Sequence, residues 1–298
     1  MTNLPIKTPI YGYHASIDRG YLSAIERPIA LGAGACQLWM GNSKGYASKI
    51  LPKTVYEPVA KLIADNDFFL ISHSPYILNF ARELQGDPAG EKALERYVRD
   101  LVNVTNLGGV GSVLHMGANV KALNQTFEQA CDTFVENLWW VVEKMPDGAI
   151  IILENMAGGG TRMCCEMKEW ATFWQDHVDQ ELKNHVKWCV DTAHLYAAGE
   201  YDLGKRSEAM RFYRDFDREI GWEHLLCFHF NGSATALGSH RDNHADIGRD
   251  WSGKIASKGL RQIARIAGAT DKPLILEVPT NTETLPDQFK YIKEWTTI

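Results

Sequence analysis

The chain has 298 residues, enough to bury a large core without crosslinks and a normal length for one eight-stranded α/β barrel. Hydrophobic residues make up 45% and charged residues 23%, globular values that exclude a disordered chain. A net charge of −6 excludes a generally basic surface that coats nucleic acid, although a local groove or bound cations can still supply a positive field.

In chain order, short apolar runs alternate with helical patterns. Strands are predicted at residues 10–14, 35–39 and 68–72. A helical stretch follows at 90–107, with Leu94, Tyr97, Val98 and Leu101 on one face. A fourth strand at 111–115 precedes the clearest helix, 124–142, where Phe127, Cys131, Phe134, Val135, Leu138 and Val142 recur at helical spacing. Then come strands at 149–154 and 186–191, a helix at 207–220 and a strand at 225–231. A helix at 260–267, a strand at 273–277 and a closing helix at 288–295 end the series. The strands read as continuous apolar runs, as parallel strands covered on both faces do. About eight of them alternating with helices predict a (β/α)8 TIM barrel. No linker or low-complexity tract divides residues 1–298, so one domain is expected.

An open doubly wound sheet places a glycine-rich turn after its first strand. Here HASIDRG follows the first strand, and Gly108–Gly111 precede a strand instead. Gly158, Gly159 and Gly160 follow a strand and read as a tight turn. The six cysteines, Cys36, Cys131, Cys164, Cys165, Cys189 and Cys227, contain no C-x-x-C pair and read as free thiols in a reducing compartment. With no apolar signal core and no run long enough to span a bilayer, a soluble, intracellular protein, in cytoplasm or nucleus, is expected.

The informative residues stand at strand ends. His73, His115, Glu154, Asp191 with His194, His229 and Glu277 come from six separate segments. In a barrel the carboxyl ends of the strands share one face, where active sites sit. Asp242 and His244, in GSHRDNHADIG, add a pair one residue apart. Each alone has an ordinary explanation: a hydrogen-bonded neutral histidine, or an aspartate capping a helix. Together they do not, because several buried carboxylates are costly unless cations neutralise them. Five histidines and four carboxylates without thiolate suit about three catalytic ions with open positions. His14 and His240 are candidates for support from behind the cluster, whereas His177, His185 and His224 sit in polar segments expected to be exposed.

Three motifs, ILENMAGGGT, CVDTAHLYAAGEYDL, and HFN followed by GSHRDNHADIG, resemble the endonuclease IV family of apurinic/apyrimidinic (AP) endonucleases, within the xylose isomerase-like barrels. The likeness runs from Gly12 to Pro279. It implies three zinc ions at the carboxyl rim, with manganese as an alternative at one or more positions. His73, His115 and Glu154 would hold the first. Glu154 would bridge to a second, held also by Asp191, His229 and Glu277. His194, Asp242 and His244 would hold the third. Glu154 and Glu277 are the candidate catalytic carboxylates. Tyr76 and Ile77 resemble the wedge that enters bent DNA at an abasic gap, and Lys44 falls in a second DNA-contacting loop. The implied activity is hydrolysis of the phosphodiester 5′ to an abasic site, leaving 3′-hydroxyl and 5′-deoxyribose phosphate ends, together with cleaning of blocked 3′ ends. The implied partner is double-stranded DNA, met by a monomer away from membranes. The chain departs from the family at Gly232, where an aspartate is usual, and at Arg249 and Asp250, where many members have glutamate and glycine. Two other readings remain: a metal-dependent sugar isomerase or epimerase on the same barrel, holding one or two ions, and a module that binds damaged DNA without cutting it.

Overall fold

A computed structural model describes residues 7–121, 124–248, 253–277 and 282–297. Its strands are β1 (Tyr11–His14), β2 (Ala35–Trp39), β3 (Phe69–His73), β4 (Gly111–His115), β5 (Ile150–Glu154), β6 (Val186–Asp191), β7 (Leu225–His229), the short β8 (Gly232–Ser233) and β9 (His244–Ala245), and β10 (Leu274–Leu276). All but β8 and β9 run parallel and close into a barrel in the order β1-β10-β7-β6-β5-β4-β3-β2. The expected strands are all present. The third ends on His73 rather than before it, and the seventh stops at His229, two residues short of the expected end.

Nine α-helices are seen among the described residues. The expected ones appear as α3 (Pro88–Asn106), α4 (Phe127–Val142), α7 (Arg206–Glu219), α8 (Ser257–Ala269) and α9 (Leu285–Thr296). Their starts follow capping chemistry. Asp87 accepts from the Gly90 amide with Pro88 in the first turn, and Thr126 and Gln129 form a reciprocal capping box that starts α4 later than periodicity predicts. Four helices were not legible: α1 (Tyr21–Ala30), α2 (Lys53–Asp65), α5 (Met167–Thr172) and α6 (Thr192–Ala198). Pro28 and Pro58 interrupt the pattern of α1 and α2. Every residue of α6 is buried, so it has no polar face to give a period.

Two layers of core follow. Helices pack on the outside of the barrel, where Trp170 stacks on Trp188 at 5.2 Å among Phe212, Phe216 and Trp222. Inside the barrel, Ala35, Ile71, Val113, Ile152, Cys189, Cys227 and Ile275 form a separate buried cluster. Side chains alternate along a strand, so the residue two further on points to the same interior. That rule places Gln37, His73, His115, Glu154, Asp191, His229 and Glu277 as one ring above an apolar plug. The antiparallel pair of β8 with β9 then folds the segment after β7 back over this rim.

Candidate metal centre

The ring brings the strand-end residues into contact. His73 and His115 present Nε2 atoms 3.2 and 3.1 Å from Oε2 of Glu154. The other oxygen of Glu154, Oε1, lies 2.8 Å from Nδ1 of His229, which is also 3.3 Å from Oε2 of Glu277. Glu154 is fully buried and faces a different group with each oxygen. Ligand-type atoms of Glu154, Asp191, His229 and Glu277 lie within 4.8 Å of one another, as do those of His73, His115 and Glu154.

A third group forms under the returning β8–β9 segment. Nε2 of His194 and Nε2 of His244 each lie 3.1 Å from Oδ1 of Asp242. Its composition differs in one respect from the sequence expectation. The three residues whose ligand-type atoms all lie within 4.8 Å of one another are Asp191, His194 and His244, with Asp191 Oδ2 3.3 Å from Nε2 of His244, while the expected Asp242 sits on the outer side with its side chain 44% exposed. Asp191 can serve twice because its oxygens divide the work. Oδ1 caps α6 by accepting from the Ala193 and His194 amides, and Oδ2 faces the cluster. The helix cap and the approach to His244 thus coexist in one side chain.

His73, His194 and His229 are each aimed by their other nitrogen. Nδ1 of His73 donates to the Ser74 carbonyl at 2.7 Å, and Nδ1 of His194 donates to the Asn155 carbonyl at 2.8 Å. His229 donates from Nε2 to Oε1 of Gln37 at 2.8 Å, which leaves Nδ1 facing the two glutamates. Gln37 was missed from sequence. It is a buried amide in the apolar run ACQLW, and the strand period alone would have placed it in the ring. Its Nε2 donates to Glu277 at 2.7 Å and to Nδ1 of His14 at 2.9 Å, so His14 supports the cluster through an intermediary. Burial lowers the pKa of His14, so it stays neutral, as that acceptor role requires. Asn231 was also missed: it donates to Asp191 Oδ2 at 2.8 Å and accepts from the Glu277 amide at 2.7 Å.

The charges ask for cations. Burial opposes ionisation of Glu154, yet His229 and His115 hold its carboxyl well below the usual range. Burial likewise opposes protonation of His229, but Glu154 and Glu277 pull it up to about 10; for His244, against the same burial, Asp191 and Asp242 pull it up to about 9. Nε2 of both His194 and His244 is buried with no hydrogen-bond partner among the described residues, although a carboxylate oxygen lies close to each. Buried nitrogens that converge on a carboxylate without hydrogen-bond geometry fit a divalent cation shared between them. The imidazole and carboxylate set fits zinc or manganese.

The other histidines lie elsewhere. His177, His185 and His224 are on segments leading into β6 and β7, at the barrel's opposite end, and are partly buried rather than exposed. His177 contacts Asp132 at 2.7 Å, and His224 packs on Trp174.

Residues 27–295 match the family described as xylose isomerase-like TIM barrel. A putative endonuclease 4 of Acanthamoeba polyphaga mimivirus is 31% identical over 298 residues, covering 95% of this chain and 92% of that protein. The chain belongs to the endonuclease IV family. A probable endonuclease 4 of Haloarcula marismortui is 28% identical, covering 95% and 97%. The crystal structure of endonuclease IV from Thermus thermophilus superposes with a TM-score of 0.80 at 26% identity, covering 96% of this chain and 98% of that one. A D-tagatose 3-epimerase-like protein shares the fold alone, with a TM-score of 0.69 at 16% identity.

Gly232 lies where two backbone segments approach closely. A Cβ there would lie 2.7 Å from the Asp246 carbonyl oxygen and 2.8 Å from that of Ala245, so in this chain a side chain at 232 would force the β8–β9 pair to shift. Arg249 and Asp250 lie outside the described residues. Of the candidate DNA contacts of this endonuclease IV chain, Tyr76 sits beside the cluster. Tyr76 is 56% and Ile77 44% exposed, and the Tyr76 ring centre lies 5.4 and 5.5 Å from those of His73 and His115. Lys44 is exposed in a loop whose carbonyls are gripped from α3: Nη1 of Arg96 donates to those of Asn42, Gly45 and Ala47. No described helix is long and apolar enough to cross a membrane.

Proposed function

We propose that this chain is a zinc-dependent AP endonuclease of DNA repair. It hydrolyses the phosphodiester 5′ to an abasic site, leaving a 3′-hydroxyl and a 5′-deoxyribose phosphate, and also removes blocking groups from 3′ ends. The observation that supports this reading is the third side-chain group, His194, Asp242 and His244, joined to the others through Asp191. A sugar isomerase with one or two ions has no use for it.

His73, His115 and Glu154 would hold one zinc, Glu154, Asp191, His229 and Glu277 a second, and His194, Asp242 and His244 a third. Manganese is the alternative at one or more of these positions. When bound, the cations supply Lewis acidity, activating a water and neutralising phosphate charge. Glu154 keeps the groups in register because its oxygens face opposite ways. Glu154 and Glu277 are the proposed catalytic carboxylates. Both stay ionised, and Gln37 and Asn231 hold Glu277 in place. Tyr76 and Ile77, apolar and exposed at the rim, enter the gap left by the missing base. Lys44 meets backbone phosphate. Selectivity follows from stacking: a nucleotide without a base has less to lose on leaving the helix.

The test is a 5′-labelled duplex carrying one tetrahydrofuran abasic analogue. Zinc-loaded protein is expected to make a single cut 5′ to the analogue, and Glu154→Gln to slow it by at least about 10²-fold. An uncut duplex, or a Glu154→Gln rate equal to wild type, rejects the proposal. Metal analysis separates it from a sugar isomerase, with about three ions per chain expected.

A further inference from the structure

We propose that Arg162 is a substrate-binding residue that grips a non-bridging phosphate oxygen of the strand being cut. The inference rests on the AP endonuclease reading and adds to it a residue outside the metal set.

Arg162 lines a cavity of about 320 Å³ together with Tyr76, His115, Met156, His194 and Asp242. The cavity thus joins the first and third side-chain groups to the proposed wedge, and Arg162 is the one arginine or lysine lining it among the described residues. Three features fix the guanidinium there. The backbone of Arg162 bridges antiparallel to Ala118, and the adjacent Thr161 and Asn119 exchange hydrogen bonds of 2.8 and 3.0 Å. Nη1 donates to the Gly158 carbonyl at 2.9 Å. That carbonyl is offered by a turn in which Gly158, Gly159 and Gly160 all have positive φ, of 89°, 86° and 68°. The turn is seated against His240, whose Nδ1 a Cβ on Gly158 would approach to 2.4 Å. The glycine run and His240, which the metal set leaves without a role, together form the platform for this side chain.

The remaining donors are uncommitted. Nε and Nη2 of Arg162 have no hydrogen-bond acceptor among the described residues, and no carboxylate there lies within ion-pair distance. Asp242 shares the cavity, but its Oδ1 is held between His194 and His244. A guanidinium fixed through one nitrogen and open at two others presents the planar fork that matches two phosphate oxygens. In a chain of net charge −6, one oriented cation beside the cluster carries weight in drawing in a polyanion.

The test compares wild type, Arg162→Gln and Arg162→Lys. Gln keeps an N–H for the Gly158 carbonyl and removes the charge; Lys keeps the charge. Binding of the abasic-analogue duplex is followed by fluorescence anisotropy in EDTA across a salt series, and KM and kcat are measured on the zinc-loaded enzymes. Arg162→Gln is expected to raise KM about tenfold with a smaller change in kcat, and to reduce the slope of log K against log salt by about one. Arg162→Lys is expected to restore the slope. A merely structural residue would lower the melting temperature and kcat and leave the slope alone, and that result, or an unchanged KM, overturns the inference. If Arg162→Gln does not fold, Arg162→Met serves the same comparison. If wild type itself neither binds nor cuts the abasic duplex, the underlying reading has failed, a result distinct from failure of Arg162 alone.

Discussion

Gln37 donates from Nε2 to Oε1 of Glu277 across 2.7 Å, although the two residues are 240 positions apart. The same amide accepts from His229 at 2.8 Å, so one uncharged side chain sets both the tautomer of a histidine and the position of a carboxylate. Gln37→Leu removes both bonds and leaves the Nε2–H of His229 buried without a partner. Metal affinity and kcat are expected to fall by about 10- to 100-fold, as when such supporting groups are lost elsewhere. Competition with a chromophoric chelator measures the affinity, and wild-type values for Gln37→Leu would contradict the role given to it.

Gln37 also marks where the sequence stops being informative. The metal-type residues were legible because histidine and carboxylate at strand ends are unusual against apolar runs. Gln37 was not, since a lone amide in ACQLW carries no chemical signature and acquires meaning only from the strand period and the closure of β2 against β1. Asn231 was hidden for a similar reason, as its role depends on the chain leaving β7 at His229. In the fold, the barrel strands were readable from apolar runs, while α1, α2 and α6 were masked by internal prolines or by burial on every side. The double use of Asp191, as cap and cluster member, needed both the α6 start and the return of β9, and neither is local to that residue.

Gly232→Asp is expected to do harm. The new Cβ would press on the carbonyls of Asp246 and Ala245, parting β8 from β9. His244 pairs with Ser233 in that register, so the third side-chain group would be displaced while the first is untouched. The expected result is loss of about one metal per chain with the far-ultraviolet circular dichroism spectrum preserved. Full metal content in Gly232→Asp would show that this backbone approach is not needed.

Metal removal should make stability steeply dependent on pH. In metal-free protein, despite the opposing effect of burial, neighbouring carboxylates hold His229 up to about 10 and His244 up to about 9. Unfolded histidine titrates at about 6.5, so the folded state binds these protons more tightly. The resulting stabilisation is complete below about pH 6.5 and is lost as pH rises through 9 to 10. Urea midpoints of EDTA-treated protein should therefore fall across that window, while zinc-loaded protein changes much less because cations replace the protons. A metal-free midpoint that stays level from about pH 6.5 to 10 would refute this account of the charges.

The Lys44 loop is held by one buried arginine. Arg96 is fully buried on α3, its Nε donating to both Asp100 oxygens at 2.8 and 3.0 Å while Nη1 serves three loop carbonyls. Arg96→Met breaks the buried pair and deprives those carbonyls of their donor, so unfolding free energy should fall by about 3–5 kcal/mol. Burial pushes Asp100 up to about 7 even with Arg96 beside it. A carboxyl raised in the folded state favours folding fully below its unfolded pKa of about 4, and that contribution is lost as pH rises through 7. Wild type should accordingly lose stability relative to Asp100→Asn between about pH 4 and 7. Denaturant titrations of both proteins across that range measure the difference. A difference that stays constant with pH would mean that Arg96 holds the carboxyl ionised throughout, and that the loop is anchored by a permanent ion pair.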